Sequence, residues 1–545
     1  MKIAETHDQA HGLRRSASIW RFALHAMPLL LVACGGPPTP VAVPPPSATP
    51  AAQTHGDEPA ALEREALRAP SLVSMPSNSP LITLRVVFDA GSADDPEGQE
   101  GITHLAAAIM ASGGAGELSY SERMQRLYPM AASLEAHVDR DQTVFVGRVH
   151  ADYLDEFYAL FRDALLTPRF AQADFDRILS QTQSALTLEL RGNNDEALGK
   201  EMLQAMIYPD HPYGRPAIGT ETGLASLTLE GVRAFRRRVF CAGRASVGVA
   251  GRVPEGFAAR VLDDVRSLSF DECQGRLALP EPSTATAESS VLLVDKPEAR
   301  AVAVSMGLPI DVTRADEDYP ALMLAASYLG QHRQFAGVLM QKIRGLRGMN
   351  YGDYAYAEHF EQAGWSRFPR TNISRRQQYF SIWLRPLRRE QARFAIRLAV
   401  RELRRFVEEG LSEEDFTRIQ NFAERYYALY QQTESRRLGF ALDDVFYGQQ
   451  QAWLEGLRQS WSSLTRDELN AAIRRHVHPE HLQIAVVVPD AEAFASELAA
   501  QTPSPIEYRA SVSAEVLAED REIVSYPIGI PRSRMRIVPV AQTFR

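Results

Sequence analysis

The chain of 545 residues has little cysteine, no excess of basic charge and no apolar run long enough to cross a bilayer comfortably. Its three cysteines are too few for a disulfide framework or a structural zinc cluster. The formal net charge is −9, and there is no zinc-finger spacing and no basic-aromatic stripe, so nothing favours nucleic acid as a partner. Hydrophobic residues make up 45% of the chain, which is enough for a globular core, and the length favours two or more domains.

The first 33 residues have the pattern of a secretory signal. A basic segment, residues 14–21, precedes a mostly apolar stretch at residues 22–33, which is shorter than the ~20 residues that a membrane span needs. The stretch runs into the sequence Leu-Val-Ala-Cys, which resembles a bacterial lipobox. We therefore predict cleavage before Cys34 and attachment of a lipid to its thiol. An uncleaved signal anchor, or a cysteine present by chance, is the alternative.

Residues 34–61 predict an extended tether. Seven prolines fall between Pro37 and Pro50, and the rest of the segment is mostly small or polar. Such a composition cannot bury a core. A lipid followed by a tether and a folded region indicates a protein that is anchored at the bacterial cell envelope and faces the periplasm.

Regular hydrophobic patterns begin near residue 62 and form two successive series of predicted strands and helices. They predict strands at residues 81–90, 142–149, 245–251, 291–294, 301–308 and 482–488, and helices at residues 101–112, 153–166, 173–192 and 254–268. The Pro-, Ser- and Thr-rich composition of residues 280–290 predicts a linker between the two series.

The second half repeats short motifs of the first half in the same order. DFDRI at 174–178 matches DFTRI at 415–419, SLT at 226–228 matches SLT at 463–465, and RR at 237–238 matches RR at 474–475. A collinear set of matches indicates duplication. We therefore predict two related α+β domains that face each other across a cavity. Their bounds are 62–279 for the first domain, 280–290 for the linker, 291–502 for the second domain and 503–545 for a C-terminal extension.

Several ordered motifs resemble landmarks of the pitrilysin/insulinase family of zinc peptidases. They are GSADDP at 91–96, GITHL at 101–105, GG at 113–114, HPYG at 211–214, GT at 219–220, VDKP at 294–297 and RGLRGMNY at 344–351. The resemblance extends over roughly residues 81–490. It implies two homologous α/β-sandwich domains in tandem, which enclose a chamber for unfolded peptides.

The sequence departs from this family at the zinc site. Family enzymes carry H-x-x-E-H on one helix, where histidines at i and i+4 bind zinc and the glutamate takes a proton from the zinc-bound water. In this chain the motif starts at His104, Ala107 replaces the glutamate and Ala108 replaces the second histidine. Glu189 is the best match to a further glutamate ligand. Two ligands are too few for a catalytic zinc, so we predict no zinc cofactor and no catalytic residues.

The second half keeps the residues that the resemblance associates with substrate. In family enzymes an arginine, and a tyrosine seven residues later, hold and polarise the peptide backbone near the scissile bond. Arg344 and Tyr351 have this spacing. A surface arginine and a core tyrosine are the alternative. Some bacterial members are two-chain assemblies in which one chain carries the zinc motif and the other the Arg-Tyr pair, and this chain resembles the second kind.

These observations predict a non-catalytic, lipid-anchored subunit that binds unfolded peptide beside a homologous zinc-bearing partner chain. A stand-alone peptide-binding or structural envelope protein, similar in kind to the non-proteolytic core subunits of a respiratory complex, is the alternative. An active zinc peptidase with an unconventional metal site is a third hypothesis, which the two alanines disfavour.

The two remaining cysteines leave two possibilities open. Cys241 lies just before a predicted strand, and Cys273 follows the predicted helix after that strand. An antiparallel return would bring the thiols together, and an envelope compartment permits a disulfide. Two buried free thiols are the alternative.

Overall fold

A computed structural model of the chain describes residues 63–281, 288–362, 366–508 and 511–545. The predicted signal segment at 1–33, the lipidation site Cys34 and the tether at 34–61 lie outside these residues. Within the described ranges, no helix has both the length and the apolar character that a membrane crossing requires.

The described chain forms two mixed β-sheets, one in each half. The strands of the first sheet are β1 (Ser71–Pro76), β2 (Leu81–Phe88), β3 (Ser133–Val138), β4 (Thr143–His150) and β5 (Ala245–Gly251). The strands of the second sheet are β6 (Ser290–Asp295), β7 (Val302–Ile310), β8 (Asp353–Tyr356), β9 (Gln378–Leu387), β10 (Gln483–Val488) and β11 (Met535–Pro539). Central strands such as β2 and β10 are buried on both faces, which explains their nearly continuous apolar sequences.

Helices cover these sheets. In the first half they are α1 (Ile102–Ser112), α2 (Tyr120–Leu127), α3 (Leu154–Leu166), α4 (Gln172–Ser184), α5 (Asp195–Ile207), α6 (Glu221–Ser226), α7 (Leu229–Val239) and α8 (Phe257–Arg266). In the second half they are α9 (Tyr319–Gly330), α10 (Arg389–Glu408), α11 (Glu413–Tyr430), α12 (Glu434–Tyr447), α13 (Trp453–Ser463), α14 (Arg466–His476), α15 (Ala491–Ala499) and α16 (Ala514–Ile523).

The two halves have the same topology. The first sheet has the order β1-β5-β2-β4-β3, and the second has the order β6-β10-β7-β9-β8, with β11 added beside β6. The parallel pairs β1/β5 and β6/β10 occupy equivalent positions, and the strand pairs in the rest of each common core are antiparallel. The predicted duplication of an α+β domain is therefore confirmed, and the repeated DF-x-R-I motif begins near the start of α4 and of α11.

Each half places one helix on the sheet of the other half. Helix α5 of the first half packs on β7 and β10, and helix α12 of the second half packs on β5 and β1. Glycines permit both close approaches: a Cβ at Gly307 would lie 3.3 Å from Ile207, and a Cβ at Gly248 would lie 2.7 Å from Leu442. The two halves thus share apolar cores.

The segment predicted as a C-terminal extension, residues 503–545, packs onto the second half and also touches the first. Helix α16 packs on α10, and β11 pairs in parallel with β6. At the end of the chain, the Phe544 carbonyl accepts a hydrogen bond from Arg191 at 3.0 Å. A five-residue strand with Arg536 in it gives only a weak hydrophobic pattern, which is why the sequence did not predict β11.

The structure decides between the two possibilities for Cys241 and Cys273. Their sulfur atoms are bonded, and their Cα atoms are 6.0 Å apart. The disulfide ties the connection between α7 and β5 to the chain that follows α8.

Candidate functional site

Helix α1, which carries the remnant of the zinc motif, is fixed at its start by Asp95. The N–H groups of Gly101 and Thr103 donate to the Asp95 carboxylate at 2.7 and 3.1 Å, and the Thr103 hydroxyl donates at 2.5 Å. Burial raises the pKa of Asp95 to about 7, although these hydrogen bonds oppose the rise. The helix then runs through the first core, so packing and capping hold it in place.

Along α1, only the first position of the motif has a side chain that could bind a metal. His104 is half-buried, and burial together with the neighbouring His137 lowers its pKa to about 4, so its imidazole is neutral at pH 7. Ala107 is buried in the core, and Ala108 packs against it. Neither alanine has a lone pair or a transferable proton.

Residues of the second half approach the region beside His104. His137 on β3 has Nε2 2.9 Å from a Glu361 carboxylate oxygen, and the other Glu361 oxygen lies 3.1 Å from Arg370 Nε. Burial opposes ionisation of Glu361, but His137 and Arg370 lower its pKa overall. Glu361 is therefore already engaged by Arg370 and lies against the His137 ring.

The described residues do not fit the zinc that the family fold implies. Within the described ranges, no three His, Cys, Asp or Glu side chains lie close enough together to hold a metal ion. Glu189 is exposed on the π-helical segment Ala185–Asn193 and makes no hydrogen bond or ion pair with any described residue. The described part of the chain thus supplies no replacement for the missing glutamate and histidine.

Buried ion pairs join the two halves near this region. Arg375 of the second half is fully buried and donates two hydrogen bonds of 2.7 Å to Asp139 and one of 2.7 Å to Gln204. Burial opposes ionisation of Asp139, but Arg375 lowers the pKa of Asp139 far below its usual range. The next residue, Arg376, pairs with Asp141 at 2.8 Å. The faces of the two halves are therefore in direct contact here.

Arg344 and Tyr351 lie together at the surface. Arg344 is on the π-helical segment Met340–Gly345, and its guanidinium carbon is 6.0 Å from the centre of the Tyr351 ring and 4.7 Å from that of Phe335. Tyr351 is 80% exposed, so it is not the core tyrosine that the alternative interpretation required. The Arg344 side chain makes no hydrogen bond or ion pair with any described residue.

A second arginine of the same motif has the opposite environment. Arg347 is buried, and its guanidinium pairs with Glu519 at 2.8 Å and with Asp520 at 2.9 Å, both on α16. Nearby, burial raises the pKa of Asp353 to about 8, although Asn350 and Arg344 act against the rise. Arg347 holds the segment in place, while the Arg344 side chain has aromatic neighbours but no ionic partner among the described residues.

Comparison with known proteins agrees with this geometry. The sequence model of the insulinase peptidase family M16 matches residues 72–221, and the model of the M16 inactive domain matches residues 226–422. The chain belongs to this family. The non-peptidase homolog YmxG of Helicobacter pylori is 22% identical over 409 residues, which are 75% of this chain and 89% of that protein. An uncharacterized zinc protease of Mycobacterium leprae is 25% identical over 247 residues, 44% of this chain and 53% of that protein.

Solved structures share the fold of this M16 chain at low sequence identity. A peptidase M16 inactive domain from Pseudomonas fluorescens superposes with a TM-score of 0.65 at 20% identity, covering 78% of this chain and 98% of that chain. A protease from Helicobacter pylori has a TM-score of 0.65 at 15% identity, and the match covers 78% of this chain and 100% of that chain. A chain of complex III2 from Candida albicans has a TM-score of 0.57 at 12% identity, and the match covers 77% of this chain and 96% of that chain. The predicted tandem of insulinase-like domains is confirmed.

Proposed function

We propose that this chain is a non-catalytic, lipid-anchored subunit of a zinc metallopeptidase assembly, and that it contributes Arg344 and Tyr351 to peptide bound beside a zinc-bearing partner chain. The observation that carries the proposal is the contrast between the incomplete zinc motif of the first half and the Arg-Tyr pair of the second half. On α1, Ala107 and Ala108 leave His104 without the other groups of the motif. In the second half, Arg344 is unpaired among the described residues and Tyr351 is exposed.

The chemistry of the retained pair suits peptide binding. An unpaired guanidinium and a phenol hydroxyl both donate hydrogen bonds, and a peptide presents a row of carbonyl oxygens. In a zinc peptidase the scissile carbonyl oxygen gains negative charge in the transition state, and preorganised donors stabilise that charge. In this proposal the partner supplies the zinc and the general base, and this chain supplies donors. A lipid on Cys34 would hold the assembly at the bacterial envelope, facing the periplasm.

The similarity to a relative named as a non-peptidase homolog supports the coarser part of the proposal, that this chain is a non-catalytic protein on a peptidase fold. The finer parts rest on the residues: Arg344 and Tyr351, which the family resemblance associates with peptide, are present, and the glutamate and second histidine of the zinc motif are not. A homologous chain with an intact H-x-x-E-H motif is therefore the partner that would complete the chemistry.

The test is turnover of an unfolded peptide by the mixed pair of chains. We expect cleavage that neither chain shows alone. Tyr351→Phe keeps the ring and removes one donor, so it should lower the mixed-pair rate by ~10²–10³, and Arg344→Ala by at least as much. Tyr128→Phe is the matched control, because Tyr128 is 87% exposed in the first half.

Two results would contradict the proposal. If Tyr351→Phe and Arg344→Ala both leave the mixed-pair rate unchanged while the two chains still assemble, the pair does not act on peptide. If no zinc-bearing relative associates with the chain in the envelope, a stand-alone binding or structural protein becomes the better account.

A further inference from the structure

Four arginines surround a pocket between the two halves. The pocket has a volume of about 270 Å³ and is lined by side chains of β2, β3 and β4, by residues 369–371 and by the start of α12. We name it the arginine pocket after Arg85, Arg148, Arg370 and Arg436. Glu135 is the acidic residue in its lining.

Arg85 is a buried charge without an acidic hydrogen-bonding partner. It lies on β2, is only 7% exposed, and donates to neutral groups: the Thr371 hydroxyl at 2.8 Å, the Asn372 side chain, and the Ser435 carbonyl at 3.0 Å. Its Nε has no hydrogen-bond partner among the described residues. A buried cation that is solvated only by neutral groups lacks the counter-charge that such sites normally have.

A second arginine lies against the first. Arg148 on β4 donates to the Ser435 hydroxyl at 3.3 Å, and Arg85 donates to the same hydroxyl oxygen at 3.2 Å. Two like charges thus meet at one neutral atom, and neither has an ion pair with a described residue. Burial and the charges of Arg148 and Arg370 lower the pKa of Arg85 to about 10, against the attraction of Asp443. Asp443 is itself paired with Arg314 at 3.0 Å.

The remaining two arginines add to the positive charge. Arg436 lies over the Phe368 ring at 4.1 Å and donates to a backbone carbonyl, but it has no ion pair with a described residue. Arg370 pairs with Glu361, whose other oxygen is beside His137. Glu135 is exposed and forms no ion pair in the described part of the chain. The lining therefore carries four guanidinium groups. The carboxylates near them are Glu135 in the lining and Glu361, which pairs with Arg370.

Further features of the pocket match an anion. The first turn of the 14-residue helix α12 begins at its N-cap Thr433, which lines the pocket with Ser435, so the positive end of the helix dipole lies there. Guanidinium groups bind carboxylate and phosphate oxygens in a bidentate manner. We propose that the arginine pocket binds one oxyanion, and that, on the basis of the proposed function, this oxyanion is an acidic side chain of the bound peptide. Free phosphate offers the same chemistry and is the other source.

The first experiment titrates the purified full chain with inorganic phosphate at low ionic strength by calorimetry. We expect saturable binding of one phosphate per chain. The double variant Arg148→Ala/Arg436→Ala should weaken this binding at least tenfold. Neither residue is buried, so the fold should survive, as circular dichroism will show. The control Arg252→Ala/Arg418→Ala removes two exposed arginines and should change the affinity less than twofold.

Two results of this titration would overturn the proposal that the arginine pocket binds an oxyanion. One is the absence of saturable phosphate binding to the unmodified chain. The other is equal weakening in the control pair, which would show that phosphate responds to net surface charge only. These outcomes do not depend on the peptide-binding function.

The second experiment distinguishes the sources of the oxyanion with a pair of end-blocked unfolded peptides, one with a single glutamate and one with glutamine in its place. We expect the glutamate peptide to displace phosphate and to lose at least tenfold in affinity in the Arg148→Ala/Arg436→Ala variant, while the glutamine peptide does not change. If phosphate binds and both peptides bind with equal affinity, the acidic-peptide assignment is wrong and the pocket takes a free anion. If phosphate binds and neither peptide does, the proposed peptide-binding function fails while the pocket stands.

Discussion

The two halves of this chain share one topology and differ in what they keep of the family's chemistry. Both sheets have the same strand order, yet α1 of the first half has alanine at two motif positions, while the second half presents Arg344 and Tyr351 at its surface. The fold of the first half does not need the zinc site, because capping by Asp95 and apolar packing already hold α1. Fold and site chemistry can therefore be lost or kept separately.

A second comparison concerns how the halves are stabilised. Each half contributes a helix to the sheet of the other, and buried ion pairs lie close to that interface. The first half also has a disulfide, whereas the second half contains no cysteine.

The largest effect is expected at the junction of the halves. Arg375→Met removes the arginine partner of the buried Asp139 and leaves His359, 3.7 Å away, beside its carboxylate, which should lower the free energy of unfolding by ~3–5 kcal/mol. Urea denaturation measures this change. Arg418→Met, at an exposed pair with Asp415, is the control and should cost less than about 0.5 kcal/mol. Similar small losses in both variants would show that the pair does not hold the halves together.

The disulfide should have the next largest effect. Its cysteines are 32 residues apart, and a loop of that length corresponds to about 3–4 kcal/mol of stabilisation in the chain-entropy account. We expect Cys241→Ala/Cys273→Ala to unfold at lower urea concentration, with hydrogen exchange increasing first in the first half. A reductant should destabilise the unmodified chain and leave the double variant unchanged. An unmodified chain that is insensitive to reductant would argue against the disulfide.

The smallest effect is expected at Arg344, and the buried Arg347 of the same motif is its contrast. Arg344→Ala should change the free energy of unfolding by less than about 0.5 kcal/mol, because the side chain makes no hydrogen bond or ion pair with a described residue. Arg347→Ala should cost ~1–3 kcal/mol, because it removes the cation from the buried Asp520, while Glu519 keeps Lys342 and Arg401 as partners. Equal losses in urea denaturation would make Arg344 a structural residue and remove the basis for assigning it to peptide.

Local sequence patterns predicted much of the fold. The strand predicted at 245–251 is β5, the helix predicted at 101–112 is α1 within one residue, and the loss of the zinc motif follows from residue types alone. Periodicity and motif spacing are local, so one sequence is enough to detect them.

Contacts between distant residues could not be predicted in this way. Arg375 and Asp139 are 236 residues apart, and no motif marks either of them. The arginine pocket likewise joins β2 and β4 of the first half to α12 of the second. The exposure of Tyr351 depends on the path of the loop that follows the buried Arg347. Each of these features is decided by tertiary packing, which hydrophobic periodicity does not encode.

The central claim is that this chain has no catalytic zinc site of its own, and metal analysis of the purified chain tests it most directly. We expect elemental analysis to find no stoichiometric zinc, and we expect the chain alone to leave unfolded peptides intact whether or not a chelator is present. One tightly held zinc per chain, together with peptide cleavage that a chelator abolishes, would contradict the account.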